Sequence, residues 1–106
     1  MKRSNWRDWP VRATRTFAPD HPALEGHFPV YPVLPGVLVL DWVCRELAGA
    51  ASLSVREARF AHPCDPGSRL ALRVQAHAGL SRFAVTAGQG SGETVVVSGM
   101  LEPPSA

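Results

Sequence analysis

Disulfide chemistry is almost absent from this chain of 106 residues: its two cysteines, Cys44 and Cys64, have no second pair beside them. A disulfide-stapled scaffold is excluded, and both are expected to be plain reduced thiols. The C-x₂-C spacing of a zinc site is missing too, so only His62, Cys64 and a distant third ligand are left on paper, and no metal is expected. Charged residues are scarce at 19%, and the formal net charge is only +2. The arginines are scattered from Arg3 to Arg82 with no basic run, which argues against nucleic acid and suits a modestly acidic partner. No apolar run is long enough to span a bilayer, and the basic N-terminus lacks the apolar core of an export signal. The chain therefore reads as soluble, unexported and cytoplasmic.

What is present is apolar bulk. Hydrophobic residues make up 45% of the chain. A domain of this size buries roughly two-thirds of its unfolded surface around one core, so residues 1–106 read as a single domain. With so few charges to cover it, some apolar surface is expected to meet another subunit, and a homo-oligomer is the first expectation.

Residues 1–10, with Trp6, Trp9 and Pro10, read as a loose lead-in whose tryptophans pack over an edge or a partner. Val11–Phe17 alternates as a strand. Pro22, Pro29, Pro32 and Pro35 exclude regular structure between Asp20 and Pro35. Gly36–Ala48 is then apolar at Val37, Leu38, Val39, Leu40, Trp42, Val43, Cys44, Leu47 and Ala48, with Gly49 placed as a C-cap. A helix apolar on nearly every face is expected to be buried. Strand patterns follow at Val55–His62, Arg69–His77, Ser81–Ala87 and Thr94–Leu101. Pro63-Cys64-Asp65-Pro66-Gly67 reads as a turn. The glycines of Gly88–Gly92 lie between two strands with no helix after them, which makes them a hairpin turn and no phosphate loop. The fold class is α+β, an antiparallel sheet wrapped around one buried central helix.

Chemistry concentrates at two residues. Asp41 is a carboxylate inside the apolar helical stretch, where an ionisable group is costly to bury unless paired or working. His27 lies in Gly26-His27-Phe28-Pro29, joined to the helix by the proline-stiffened Val30–Gly36. A fixed histidine, a buried acid and the free N–H groups of a helix start make a usable acid–base site. The plainer alternative has His27 bonded to loop backbone and Asp41 paired with Arg45 one turn on. His21, His62 and His77 have no comparable setting and read as surface or structural.

The string Gly26-His27-Phe28-Pro29, Pro32-Val33-Leu34-Pro35-Gly36-Val37-Leu38 and Leu40-Asp41 resembles the active-site motif of the 3-hydroxyacyl-[acyl carrier protein] dehydratases, the FabA/FabZ family of hotdog-fold enzymes. Ala58-Arg59-Phe60-Ala61-His62-Pro63 and Pro66-Gly67-Ser68-Arg69-Leu70 resemble that family's next strand and Pro-Gly turn. Short chains of this kind also resemble the dehydratases of aryl-polyene and related pigment clusters. The resemblance implies His27 as catalytic histidine, Asp41 as its acidic partner, and Gly36 as the residue whose N–H polarises the thioester carbonyl. It implies an acyl tunnel lined by Phe28, Pro29, Leu34, Pro35, Val37, Leu38 and Phe60 along a dimer interface, where His27 of one subunit meets Asp41 of the other. Arg59 and Arg82 are candidate contacts for the acidic acyl carrier protein or its phosphopantetheine, which the substrate itself carries; no cofactor is expected. The chain departs from the family in having Arg45 where Gln is usual. Alternatives are a hotdog thioesterase, and a non-catalytic or partner-dependent subunit of a heteromeric dehydratase.

Overall fold

The computed structural model describes residues 5–17, 34–48, 53–88 and 90–103. A short 3₁₀ turn, Trp6–Asp8, leads into β1 (Val11–Thr16); α1 (Gly36–Ala48) follows, then β2 (Ser54–Phe60), β3 (Arg69–His77), β4 (Leu80–Ala87) and β5 (Thr94–Glu102). The strands form one five-stranded sheet in the order β1-β3-β4-β5-β2, antiparallel at every pairing. This is the α+β architecture expected, and each expected strand ends within two residues of the observed one.

The meander is written locally. β3 alternates, with Leu70 and Leu72 fully buried on the helix-facing side. It turns into β4 through Ala78-Gly79, whose φ angles of 51° and 81° match the mirror-image hairpin turn that suits twisted strands. At the other end of β3, Gly67 has φ 93°, which closes a turn from Asp65 O to Ser68 N at 3.2 Å and lets Gly67 N–H reach Phe17 O at 2.8 Å. That bond fastens the end of β1 to the turn before β3.

The core lies between α1 and the sheet. Val39, Trp42 and Val43 enter it from the helix, meeting Phe17, Leu70, Leu72, Val85, Val97 and Leu101. Phe17 and Trp42 meet edge to face, with ring centroids 6.3 Å apart, a favoured aromatic geometry. Here the structure corrects an expectation: α1 buries only one stripe. Val37 is 69% exposed, and Leu38, Leu40, Cys44 and Leu47 are only partly buried.

The opposite face of the sheet is polar and carries the second correction. The described part of the lead-in is held in place: Arg73 donates from Nη1 to Trp9 O at 2.9 Å and to Arg7 O at 3.3 Å. Its Nε and Nη2 grip the two carboxylate oxygens of Glu93 at 2.9 and 3.2 Å, and Thr86 Oγ1 donates to the same carboxylate. The expected loose segment is thus clasped to the outer face because the planar guanidinium offers enough donors to serve both partners at once.

One glycine is required by close approach. Gly99 of β5 lies opposite Ala58 beside a register shift in β2, and a Cβ there would run into the Glu57 carbonyl, whose carbon would be 2.9 Å away. Backbone cannot swing aside as a side-chain tip can. Gly99→Ala is expected to destabilise the fold by about 1–3 kcal/mol, read as a lowered urea midpoint at unchanged slope.

Candidate active site

The helix start is built from Leu34-Pro35-Gly36. Leu34 N–H is fixed to Cys64 O at 2.9 Å, and the Pro35 carbonyl accepts from Leu38 N at 3.1 Å and Val39 N at 3.4 Å. Proline suits this place, having a preset φ and no N–H to leave unpaired. Gly36 follows, and its N–H has no hydrogen-bond partner among the described residues. The Phe60 ring, at the end of β2, lies directly over Gly36: a Cβ there would be 2.7 Å from Phe60 Cε1 and 3.2 Å from Cγ. Glycine is what lets ring and helix start touch.

Around them opens a cleft of about 230 Å³, lined by Leu34, Gly36, Phe60, Ala61, His62, Pro63, Val96 and Val97. The expected site residues Leu34, Gly36 and Phe60 are therefore brought together. Pro35 adjoins them, whereas Val37 is exposed and Leu38 packs against the core; neither lines the cleft. His27, Phe28 and Pro29 lie outside the described residues. The cleft is smaller than the roughly 300–1,000 Å³ usual for a small-molecule site. An N–H at the positive end of a helix, under an apolar ring, is suited to a carbonyl oxygen that gains negative charge.

Asp41 stands further along α1 and corrects the expectation of a buried acid. Its side chain is 55% exposed and takes a hydrogen bond and ion pair from Arg45 Nε at 2.8 Å. The expectation of burial fails because α1 is rich in apolar residues without being apolar all round: Asp41 and Arg45 lie one turn apart on its outward side. The i,i+4 pairing itself was legible.

Both cysteines are free. Burial, aided by the negative charge of Asp41, pushes the Cys44 thiol up, and burial with Asp65 does the same for Cys64. Raised thiols are poor nucleophiles, so neither is suited to covalent catalysis.

Arg59 and Arg82 share a second cleft, about 200 Å³, with Trp9, Glu57, Ser98 and Met100. The pairings Arg82 with Met100 and Phe60 with Val97 put this cleft on the sheet face away from Phe60. Arg59 lies 3.8 Å from Glu57. The two arginines are together, but across the sheet from Gly36. One lining residue of the first cleft, His62, is surface or structural on the sequence reading; its place two residues after Phe60 and directly before Pro63 is the signal available.

Comparison with known proteins places the chain in a family. The model of the ApeI-like family, described as ApeI dehydratase, matches residues 4–100. The chain belongs to the ApeI-like dehydratases. Two solved structures share the fold of this ApeI-like chain. An uncharacterized protein from Erwinia carotovora subsp. atroseptica is 31% identical, with a TM-score of 0.69 over 84% of this chain and 77% of that one. The dehydratase heterocomplex ApeI:P from Xenorhabdus doucetiae is 29% identical, with a TM-score of 0.67 over 84% and 81%. Among curated relatives, the 3-hydroxyacyl-[acyl-carrier-protein] dehydratase FabZ of Anaeromyxobacter sp. (strain K) is 35% identical over 80 residues, 61% of this chain and 51% of that protein. FabZ of Haemophilus influenzae (strain PittEE) is 33% identical over 81 residues, 64% and 54%. The ApeI-like chain spans about half the length of these curated relatives. No described helix is long and apolar enough to cross a membrane.

Proposed function

We propose that this chain dehydrates 3-hydroxyacyl thioesters of an acyl carrier protein to trans-2-enoyl thioesters, in fatty-acid or polyketide-type assembly. The observation that carries the reading is the Gly36 N–H, without a hydrogen-bond partner among the described residues, in the apolar cleft under Phe60 and on the helix that also presents Asp41. The thioester carbonyl would lie at Gly36. His27 takes the C2 proton, electron density shifts toward the thioester oxygen, and the C3 hydroxyl leaves as water with a proton from the imidazolium or from Asp41. A proton and a hydroxide leave the substrate and a C2–C3 double bond remains, with no redox change and no cofactor. Each acid–base group is worth roughly 10²–10⁴-fold.

A site shared between two subunits is supported by three features. Asp41 is exposed on the chain taken alone, the cleft is small, and β2 is an edge strand with Val55 and Phe60 exposed. A heterocomplex among the structural relatives favours a second dehydratase-like chain as the partner. The thioesterase alternative would use a carboxylate to activate water, and it is told apart by its product, a free thiol.

The test is to incubate the chain with a short 3-hydroxyacyl carrier protein, alone and with a second dehydratase-like subunit, following the conjugated enoyl thioester. Turnover lost with His27→Ala supports the reading. Release of free thiol supports hydrolysis instead. Activity that appears only with the partner, and survives substitution at His27 and Asp41, makes this chain a non-catalytic subunit.

A further inference from the structure

Among the described residues, the cleft at the helix start contains one polar side chain, His62, and the mechanism above does not use it. His62 follows the end of β2, where Ala61 N–H bonds Val96 O at 2.8 Å and His62 N–H reaches the same oxygen at 3.4 Å. Its ring Nδ1 lies 3.2 Å from Val95 O. A carbonyl oxygen only accepts, so Nδ1 must carry the hydrogen of that bond, and in the neutral imidazole Nε2 is left with its lone pair. Backbone and ring are both tied to β5. An exposed histidine has become an acceptor held in one place.

The other cleft side chains, Leu34, Phe60, Ala61, Pro63, Val96 and Val97, are apolar. The cleft thus offers a donor, Gly36 N–H, and a fixed acceptor, the His62 imidazole, on an otherwise greasy surface. Its complement is a ligand with a carbonyl acceptor and an N–H donor joined by a short apolar link. An acyl thioester on an amide-bearing thiol arm has that pattern: thioester carbonyl, sulfur, two methylenes, amide N–H.

We infer that His62 Nε2 accepts a hydrogen bond from the first amide N–H of the thiol arm while Gly36 holds the thioester carbonyl. The assignment rests on the acyl-thioester reading above and deepens it, making His62 the residue that selects amide-bearing thioesters over simple alkyl ones. It binds the part of the substrate that does not react, so it sets specificity and does not move the reacting protons.

The test compares two 3-hydroxybutyryl thioesters, of N-acetylcysteamine and of a butanethiol of similar length that lacks the amide, at about pH 8, where an ordinary imidazole is neutral. The wild-type chain, with its partner if one is needed, should prefer the amide-bearing thioester in kcat/KM. His62→Phe should reduce that preference by about fivefold to tenfold, the size of one net hydrogen bond, and His62→Gln should restore part of it. In parallel, free pantetheine is titrated against wild-type chain carrying ¹⁵N-labelled histidine, which needs no turnover and no variant. The His62 Nε2 resonance should move with pantetheine and stay still with an analogue whose amide nitrogen is methylated. An undiminished preference in a folded His62→Phe chain, or an Nε2 resonance that pantetheine leaves in place, overturns the assignment. Absence of turnover with both thioesters instead rejects the dehydratase reading, and the titration then decides the role of His62 by itself.

Discussion

Asp41→Asn is expected to lower turnover of a 3-hydroxyacyl carrier-protein substrate by about 10²–10⁴-fold while leaving the chain folded. The substitution keeps the shape of the side chain and removes the carboxylate, so any group that gives up or accepts a proton there is lost. Little stability should go with it. Asp41 is half-exposed and its partner among the described residues is Arg45 one turn on, an arrangement worth roughly 0.3–0.5 kcal/mol in exposed helices. Arg45→Gln supplies the control, because it breaks the same pair and keeps the acid. If Asp41 serves proton transfer, the two variants have similar urea midpoints and very different rates. Equal, small losses of rate in both would assign Asp41 to helix stability alone and remove it from the proposed chemistry.

Arg73→Ala is expected to be the most damaging single change on the outer face, at about 3–5 kcal/mol, the usual cost of leaving one member of a buried ion pair behind. The Arg73 and Glu93 side chains are 20% and 10% exposed, so solvent does little to screen the orphaned carboxylate. The loss also frees the carbonyls of Arg7 and Trp9 from their shared donor. Hydrogen bonding from Arg73 is the strongest influence holding the Glu93 carboxyl below its ordinary pKa; burial opposes it, while the Thr86 hydroxyl and the charges of Arg73 and Arg7 reinforce it. A carboxylate depressed in the folded state adds stability that is complete above its unfolded pKa and disappears as pH falls through the lowered folded value. The gap between wild type and Arg73→Ala should therefore be widest near neutrality and narrow in acid. Urea unfolding at several pH values measures it, and a gap indifferent to pH would detach the clasp from Glu93. Removing both side chains should cost less than the sum of the single changes.

The strands were legible because each satisfied two requirements at once. Leu70 and Leu72 alternate with Arg69, Ala71 and Arg73, and the run ends at an Ala-Gly pair able to take positive φ. The helix was legible in extent but not in exposure. Its count of apolar residues suggested burial all round, yet which of them meet the sheet depends on where β5 and Phe17 lie, and that is a tertiary fact. The same limit explains the lead-in: Arg73 and Glu93 are twenty positions apart and carry no local signature of a clasp. At the site, Gly36 and Phe60 were each implied by the family resemblance, and their contact comes from the fold. The fixing of His62 could not, because its ring partner is the Val95 carbonyl, brought near only once β2 and β5 have aligned.

The order of the strands also sets a timetable for synthesis. β3, β4 and β5 are joined by short turns and can zip together locally, but β1 pairs, among the described residues, with β3 alone. Between Thr16 and His77 the ribosome must add most of the chain, so β1 waits about 3–12 s at ordinary elongation rates of roughly 5–20 residues per second. β2 likewise waits for β5. Both outer strands close over long sequence separations, the kind of contact that slows folding. During that interval Trp9 and Phe17 lack the neighbours they meet in the fold, which makes the segment around β1 the stretch that a chaperone would have to shield.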